Sequence, residues 1–431
     1  MSSITTANAR HTVAPYSLYV LGVLLIVYTF NFVDRVVLGI LVAPIKSELH
    51  LTDTELGLIG GTAFALFYTS LGVPVGWLAD RINRVWIMTA ALALWSAFTA
   101  VCGLARGFPG LFLARLGVGV GEAGGVAPAY ALLADYFPPR TRARALGFYS
   151  LGIPLGSALG LLLGGYIATR FNWRTAFFAL GIAGVVLAPV LVATIREPRR
   201  GTYDQASPLV TNPLLAEVVR KLVRKPGFWL LSLGAACGSM MGYGLLFWLP
   251  SFFQRSYGMT LLEASRLLGA LLLIGGSAGL TLGGYLADRY GPRSPAAYAL
   301  VPALAFAGVL PCYAVGMSLP MGPLAFVCYL IPAALQLAWL GPIVTAIQHL
   351  VPPSMRALAS ALFLFINNLL GLGFGSLLLG FASDRLAAHF GGASLRYAIL
   401  GGSWLYVLAA ALLLLAARRL PREFELGPAG H

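Results

Sequence analysis

Long runs of apolar residues alternate with short polar connections along almost the whole chain. A helix needs about 20 mostly apolar residues to cross the hydrocarbon core of a bilayer. Twelve runs are long enough, so the pattern predicts an all-α membrane protein with twelve transmembrane helices. The predicted spans are residues 16–45, 55–79, 85–105, 110–136, 144–169, 174–195, 226–253, 262–287, 294–317, 321–349, 356–382 and 396–417.

The connection between the sixth and seventh spans is longer and more basic than the other connections. It covers residues 196–225 and divides the chain into two six-helix bundles, residues 1–195 and residues 226–431. We interpret it as a linker with a short amphipathic helix near residues 214–223. A loop that faces lipid headgroups, without a further function, is its simplest interpretation.

Two motifs recur in the same order in both predicted bundles. The segment GWLADRINR at residues 76–84 returns as GYLADRYGPR at residues 284–293, and PPxxRA at residues 138–143 returns at residues 352–357. The two motifs are offset by 208 and 214 residues, so they indicate a duplicated six-helix unit. Parallel repeats of this kind are one known architecture of secondary transporters.

The G-x-L-A-D-R-x-x-R loop between the second and third spans resembles the signature loop of the major facilitator superfamily. The resemblance extends over essentially the whole chain and implies two pseudo-symmetric six-helix bundles that rock around a central site. In that family the loop is thought to latch the cytoplasmic side when the cavity faces outward. The alternative is that these charges only set the orientation of the helices in the membrane and form weak ion pairs at the surface. The resemblance assigns the gating role to Asp80, Arg81 and Arg84, and less strongly to Asp288, Arg289 and Arg293.

Composition supports a membrane protein, and the charge distribution predicts its orientation. The chain is 58% hydrophobic and 10% charged, which is more apolar than a soluble domain of this size can bury. Nineteen of the Lys and Arg residues fall on the side that holds both termini, and eight fall on the opposite side. The positive-inside rule therefore predicts cytoplasmic termini. Short loops and an Ala-, Leu- and Arg-rich chain favour a bacterial inner membrane.

Other functional classes lack support in the sequence. The net charge of +14 is not arranged as a basic stripe with exposed aromatic residues, so we expect no nucleic-acid partner. The four cysteines lie in apolar runs without a CxxC pair, and no hydrolase or ATP-binding motif is present. The GxGxxG at residues 119–124 matches a dinucleotide-binding motif, but it lies inside a predicted span with no strand before it, so we reject that function. We expect no enzyme activity, cofactor or metal, and a monomer is sufficient.

Four charged residues lie deep within predicted spans. They are Asp34 and Arg35 in the first span and Arg115 and Glu122 in the fourth span. A charge at this depth is costly and usually faces a cavity or a partner, so function is the default hypothesis. Glu122 has glycines around it and no base next to it in sequence, which makes it the better candidate for reversible protonation. We therefore predict proton coupling by Glu122 and Asp34. A static buried salt-bridge network is the alternative.

Three segments of the first half narrow the resemblance. Residues 31–35 read NFVDR, residues 115–123 read RLGVGVGEA and residues 152–157 read GIPLGS. Together they resemble the spinster branch of the superfamily, which includes exporters of sphingosine-1-phosphate and carriers of lysophospholipids. The resemblance implies proton-coupled transport of an amphipathic anion by alternating access. An arginine suits a phosphate because it donates two parallel hydrogen bonds. The candidate substrate-binding residues are Arg35, Arg115, Asn31, Phe30, Tyr149, Asn367, Asn368, Gln336 and Trp339, with Tyr243 and Trp248 as further aromatic candidates.

Three other functions stay open at this point. A transporter of a small organic anion, such as a sugar acid or a sugar phosphate, would use the same arginines. A drug/proton antiporter would prefer an acidic cavity without two arginines. A non-transporting receptor would show no solute flux and would not need Glu122.

Overall fold

In the computed structural model, residues 14–79, 81–203, 215–352 and 355–424 are described, and these parts are helical with short connections and contain no β-strand. The α-helices of the first half are Pro15–Ile40, Val42–Leu49, Asp53–Gly57, Ala63–Ala79, Arg84–Cys102, Phe108–Glu122, Val126–Tyr136, Pro139–Ser150, Gly152–Arg170 and Trp173–Thr194. A short helix, Leu215–Val223, lies in the linker. The α-helices of the second half are Pro226–Tyr257, Leu261–Leu271, Ser277–Tyr290, Ala297–Ser318, Pro323–Leu335, Leu340–His349, Arg356–Phe390, Ser394–Gly402 and Trp404–Glu423.

Ten helices of the described chain are long and apolar enough to cross a membrane. One of them, Leu358–Glu423, joins the predicted eleventh and twelfth spans. The predicted second span is not among the ten. It is divided into Asp53–Gly57, a π-helical turn at Leu58–Thr62, and a regular helix, Ala63–Ala79, of 17 residues.

The two halves repeat the same local irregularities. The second and eighth spans each begin with a capping box, Thr52 with Glu55 and Thr260 with Glu263, 208 residues apart. Each then contains a π-helical turn, at Leu58–Thr62 and at Leu272–Gly276. The fourth and tenth spans are both interrupted, after Glu122 and after Leu335. The breaks fall at corresponding places of the two halves, next to Glu122 in one and next to Gln336 in the other.

Glycines allow the first and fifth spans to approach closely. A Cβ atom at Gly156 would lie 2.3 Å from the backbone oxygen of Thr29, and one at Gly160 would lie 2.5 Å from a methyl group of Val36. Small residues at such contacts are typical of helix packing in membranes, because they allow backbones to come together. This contact sets the position of the first span, and with it the position of Asp34 and Arg35.

The two ends of the bundle differ in how the halves are joined. At one end of the bundle the first helix begins at Pro15 and the last helix ends at Glu423, and we call it the terminal end. We call the opposite end, which carries the Val42–Leu49 helix, the distal end. One apolar core continues from the distal part of the first half into the second half. The terminal part of the first half has a separate core, built largely from its own spans. The halves are therefore packed together at the distal end.

Candidate substrate and ion site

The four charged residues of the first and fourth spans meet in one buried group. Asp34 and Glu122 are fully buried, Arg115 is 1% exposed, and the side chain of Arg35 is 9% exposed. Arg35 Nε donates to Glu122 Oε2 at 2.6 Å. Arg115 Nη1 donates to the backbone oxygen of Asp34 at 3.1 Å. These two contacts tie the first and fourth spans together.

The neighbours of Glu122 in space differ from its neighbours in sequence. Glu122 has no base beside it in sequence, but in space it forms an ion pair with Arg35. Residues adjacent in a helix point about 100° apart, so Arg35 reaches the fourth span while Asp34 points elsewhere. The sequence alone does not identify which span faces each of these side chains.

Three aromatic rings surround the guanidinium group of Arg35. Its central carbon lies 4.5 Å from the ring centroid of Tyr68 and 5.0 Å from the centroids of Phe32 and Phe64. Arg115 lies 5.5 Å from the same Phe64 ring. A cation over an aromatic face is stabilised by the ring quadrupole, more so when it is removed from water. Tyr68 and Phe64 were not among the predicted site residues.

The carboxylate of Asp34 lies in a less satisfied environment than that of Glu122. Neither oxygen of Asp34 forms a hydrogen bond of normal geometry with the described residues. The polar side chains of Trp95 and Thr99 in the third span lie beside it, but neither forms a hydrogen bond of normal geometry with it. Buried polar atoms are usually paired, so an unpaired carboxylate inside a membrane protein is suited to hold a proton.

Asn31 and Tyr149 lie close to this group, whereas Phe30 does not. Asn31 is 2% exposed and its side chain interacts with Glu122. The ring of Tyr149 stacks on Tyr28, with centroids 4.3 Å apart. A Cβ atom at Gly184 would lie 3.7 Å from Phe30, so Phe30 faces the sixth span. We therefore interpret Phe30 as packing between helices.

The candidates in the second half largely contact other residues of the same half. Asn367 accepts a hydrogen bond from Ser239 at 2.8 Å, and Gln336 accepts one from Tyr406 at 3.2 Å. Trp339 packs edge-on against Phe363, and Asn368 is half-buried. Tyr243 of the seventh span interacts electrostatically with Arg35. Of these candidates, Tyr243 therefore connects the second half most directly to the charged group.

Trp248 lies outside the site. Its indole nitrogen donates to the backbone oxygen of Ser376 at 2.8 Å, and the side chain is fully buried at the distal end. Its role is to pack the seventh span against the eleventh.

The predicted gating residues differ strongly in their surroundings. Asp80 lies outside the described residues. Arg81 is exposed, follows the end of the Ala63–Ala79 helix and lies over the ring of Trp77 in that helix. Asp288, Arg289 and Arg293 are exposed, and Arg289 donates to Tyr285 at 2.6 Å. None of these contacts joins the two halves.

Arg84 is the buried member of the first loop motif. Its guanidinium donates to Glu197 at 2.6 Å and to Asp135 at 2.6 Å, and its side chain is 5% exposed. Glu197 also accepts from the backbone amide of Arg84, at the start of the third span. The partners come from the fourth span and the linker, so Arg84 holds the terminal end of the first half together. Sequence reasoning missed both partners because they are far away in the chain.

Glutamine at Arg84 is expected to lower the melting temperature of the purified protein by several degrees. Removing one partner of a buried ion pair costs roughly 3–5 kcal/mol, because the remaining carboxylates stay buried without a counter-charge. Thermal unfolding in detergent measures the effect. Arg81→Gln is the matched control, since it removes an exposed charge from the same motif. An equal loss of melting temperature in both variants would argue against the buried pairing.

A second charged network joins the two halves at the distal end. Asp53, at the start of the second span, accepts from both terminal nitrogens of Arg255 at 2.7 and 2.8 Å and from Ser383 at 2.8 Å. In return, the backbone amides of Asp53 and Thr54 donate to Asp384 at 3.1 and 2.7 Å. Each half thus places a carboxylate against donors of the other half. We call Asp53, Arg255, Ser383 and Asp384 the distal latch.

Close backbone contact accompanies the distal latch. A Cβ atom at Gly380 would lie 2.3 Å from the backbone oxygen of Asp53, and one at Gly57 would lie 2.6 Å from that of Ser376. Only glycine fits at these two contacts without displacing the backbone. Asp53 and Asp384 lie just outside predicted spans, where a carboxylate needs no special role. The glycines of the eleventh span were the one available signal.

The model of the Major Facilitator Superfamily matches residues 24–376 of the chain. The chain belongs to the major facilitator superfamily. The chain is 35% identical over 381 residues to an MFS-type efflux pump of Mycolicibacterium smegmatis, covering 88% of this chain and 87% of the relative. It is 30% identical over 396 residues to protein spinster homolog 1 of Homo sapiens, covering 87% and 74%.

Solved structures agree with this assignment. The facilitator superposes with a TM-score of 0.87, at 32% identity, on the crystal structure of a bacterial homolog to the human lysosomal transporter Spinster in an inward-facing and unoccupied conformation. The match covers 96% of this chain and 99% of that one. The D-xylose-proton symporter shares the fold, with a TM-score of 0.70 at 18% identity. The predicted resemblance to the spinster branch and the predicted facilitator fold are confirmed. The relatives and structures named above are transporters, which agrees with the prediction that the chain is not an enzyme. This facilitator is a transporter of the spinster type.

Proposed function

We propose that this facilitator is a proton-coupled secondary transporter that moves an amphipathic anion by alternating access, with a lysophospholipid or a sphingosine-1-phosphate-like lipid as the substrate class. The observation that carries the proposal is the ion pair between Arg35 and Glu122 inside the aromatic surroundings of Arg35. It places an anion-binding group, a proton acceptor and an apolar surface next to each other.

Charge balance supports the coupling of an anion to a proton. Asp34, Arg35, Arg115 and Glu122 carry two negative and two positive charges when all are ionised. An anion that enters this buried group adds an uncompensated negative charge, which is expensive away from water. A proton on Glu122 restores the balance and releases Arg35 Nε to the substrate. The same proton on Asp34 would restore the balance without releasing Arg35, so we assign Glu122 the leading role.

Aromatic surfaces support the amphipathic character of the substrate. The stacked rings of Tyr28 and Tyr149, with Tyr130 edge-on at 5.7 Å, lie in the same half as Arg35 and towards the terminal end. Arginine binds a phosphate with two parallel hydrogen bonds, and aromatic rings favour contact with an alkyl chain. A phosphate on Arg35 and an alkyl chain along the tyrosines would use both surfaces.

Alternating access follows from the contacts between the halves. The distal latch and the close glycine contacts favour a state that is closed at the distal end, as expected for a facilitator whose cavity opens towards the termini. We infer from the excess of Lys and Arg on the terminal side that this side is cytoplasmic. A bacterial inner membrane and a monomer complete the proposal.

Thermal stabilisation of the purified protein tests the substrate class. A ligand that binds only the folded state stabilises by RT ln(1 + [L]/Kd), about 2.7 kcal/mol at 100 times Kd. We expect lysophospholipids or sphingoid phosphates to raise the melting temperature of the wild type and not that of Arg35→Ala. The control is Arg106→Gln, which removes an exposed arginine at the distal end and should respond like the wild type.

A small organic anion is the second candidate, because the same ion pair would admit it. If only sugar phosphates or sugar acids stabilise the wild type, this candidate replaces the lipid. One relative is named an MFS-type efflux pump, so a drug/proton antiporter is kept as a third candidate. A cationic drug that stabilises the protein independently of Arg35 would overturn the anion proposal.

A further inference from the structure

A groove lies on the outer surface of the second half at the terminal end. It is formed by the end of the Leu215–Val223 helix, the start of the Pro226–Tyr257 helix and the end of the Trp404–Glu423 helix. Its volume is about 650 Å³. The lining residues are Val223, Arg224, Pro226, Trp229, Leu230, Leu415, Arg418 and Arg419. Three arginines and an apolar surface therefore share one concave site.

The three arginines have no structural partner among the residues that the structure describes. Arg224, Arg418 and Arg419 are all exposed, and none forms a hydrogen bond or an ion pair within the described part of the chain. Arg84, by contrast, is buried and uses its guanidinium to join two carboxylates. The nearest carboxylate on the helix of Arg418 and Arg419, that of Glu423, accepts from the backbone amide of Gly227 instead. Three like charges that line one groove without an ion pair among the described residues favour an anionic ligand.

The apolar part of the groove belongs to the membrane-facing surface. Trp229 is 39% exposed and Leu415 is 47% exposed, although both lie in helices apolar enough to cross a membrane. The indole of Trp229 donates to the backbone oxygen of Val223 at 3.2 Å, which fixes its ring at the end of the linker helix. Tryptophan with nearby arginines is typical of the boundary between acyl chains and headgroups.

The linker helix is held in place beside this groove. Val218 and Leu222 are fully buried against the second half. Lys225 donates to the backbone oxygens of Leu350 and Glu423 at 2.5 and 3.0 Å. The position of Arg224 relative to Arg418 and Arg419 is therefore set by packing, and the three charges are presented on a fixed frame.

We infer that this groove binds an anionic phospholipid of the leaflet at the terminal end. Arg224, Arg418 and Arg419 hold its phosphate, and an acyl chain lies along Trp229 and Leu415. Basic pockets between transmembrane helices are suited to such headgroups, and two parallel N–H groups of an arginine match two phosphate oxygens. The bound lipid would connect the linker helix to the seventh and twelfth spans. The site shares no residue with the proposed substrate site.

Native mass spectrometry of the full chain, released from nanodiscs, tests the inference. The discs contain phosphatidylcholine with or without phosphatidylglycerol as the anionic probe. We expect the wild type to retain phosphatidylglycerol. The variant R224Q/R418Q/R419Q should bind this lipid with an affinity lower by a factor on the order of 100, because each basic group near the surface contributes to headgroup binding.

Two control variants distinguish this groove from the other basic surfaces of the protein. The variant R144Q/R196Q/R199Q removes the same charge from exposed arginines at the terminal end of the first half, and should retain the lipid. Arg35→Ala should also retain it, which distinguishes this site from the substrate site. Equal loss in both triple variants, or full retention in R224Q/R418Q/R419Q, would overturn the inference. So would equal binding of soluble glycerol phosphate, because that outcome indicates a free-anion site without a role for the acyl chain.

Discussion

Glutamine in place of Glu122 is expected to uncouple substrate movement from a pH gradient while leaving the protein folded. The side chain keeps its size and mimics the protonated acid, so Arg35 stays available to the anion but no proton is exchanged. With one proton per anion, a gradient of one pH unit is about 1.4 kcal/mol and supports about tenfold accumulation by the wild type. The variant should reach equal concentrations on both sides. Transport by proteoliposomes with an imposed gradient measures both values.

A matched carboxylate variant controls for the loss of a negative charge. Glu48 lies near the distal end and pairs with Trp173 and Arg174 of the same half. Glu48→Gln should keep gradient-driven accumulation, and Arg35→Ala should lose substrate binding itself. Accumulation by Glu122→Gln that follows the pH gradient as in the wild type would remove Glu122 from the coupling mechanism.

Asparagine in place of Asp53 is expected to open the distal end of the protein. The Asp53 side chain is 3% exposed and binds Arg255, Lys46 and Ser383. Removing one partner of a buried pair costs roughly 3–5 kcal/mol, and Arg255 and Lys46 reach water, so the lower end of this range applies. A change of about 5.5 kcal/mol in the free-energy difference between two conformations inverts a 99:1 population. The loss in Asp53→Asn should therefore move a large share of the molecules to the conformation that is open at the distal end.

Spin labels on exposed positions of both halves measure this opening. Arg106 lies at the distal end of the first half, and His389 lies at the distal end of the eleventh span. The distance between labels at these positions should lengthen in Asp53→Asn and stay unchanged in Glu48→Gln. The native cysteines are replaced before labelling. If the distance is unchanged in Asp53→Asn, the distal latch does not hold the two halves together.

The distal latch should be insensitive to pH in the range where transport is measured. Burial tends to raise the pKa of Asp53, but hydrogen bonds and charge from Arg255, with Lys46 and Ser383, lower it from 3.8 to about 2. Because this pKa is lowered, the ionised form of Asp53 stabilises the closed distal end at every pH above its ordinary pKa. This stabilisation is lost only as the pH falls towards 2. The label distance should therefore be constant between pH 5 and pH 8. Under the proposal, a pH dependence of transport arises at the buried group around Glu122 and not at the distal latch.

The helical spans and the duplicated halves could be predicted from the sequence because each depends on local pattern. Apolar runs of about 20 residues have few other structures available to them. The capping boxes at Thr52 and Thr260 repeat with the same offset as the GxLADR motifs. The second span was predicted in position, but the π-helical turn at Leu58–Thr62 was not, because it depends on contacts with the eleventh span.

Partnerships between distant residues could not be predicted in the same way. Depth within the spans indicated that the four charged residues lie inside the membrane, but only the packing of the first and fourth spans brings Arg35 Nε to 2.6 Å from Glu122. Asp384 lies 331 residues from Asp53, and neither residue has a local signal that points to the other. Trp248 and Phe30 are aromatic residues in spans, and sequence pattern does not separate cavity-lining rings from packed ones.

The central claim is that an anion binds together with a proton because Glu122 otherwise occupies Arg35. Proton uptake on ligand binding, followed with a pH-sensitive dye in weakly buffered detergent solution, tests it most directly. Lysophosphatidylglycerol is a suitable ligand because its phosphodiester stays ionised near neutral pH. The account predicts uptake of about one proton per bound anion by the wild type, and binding without uptake by Glu122→Gln. Saturating binding to the wild type with no uptake of protons would contradict it.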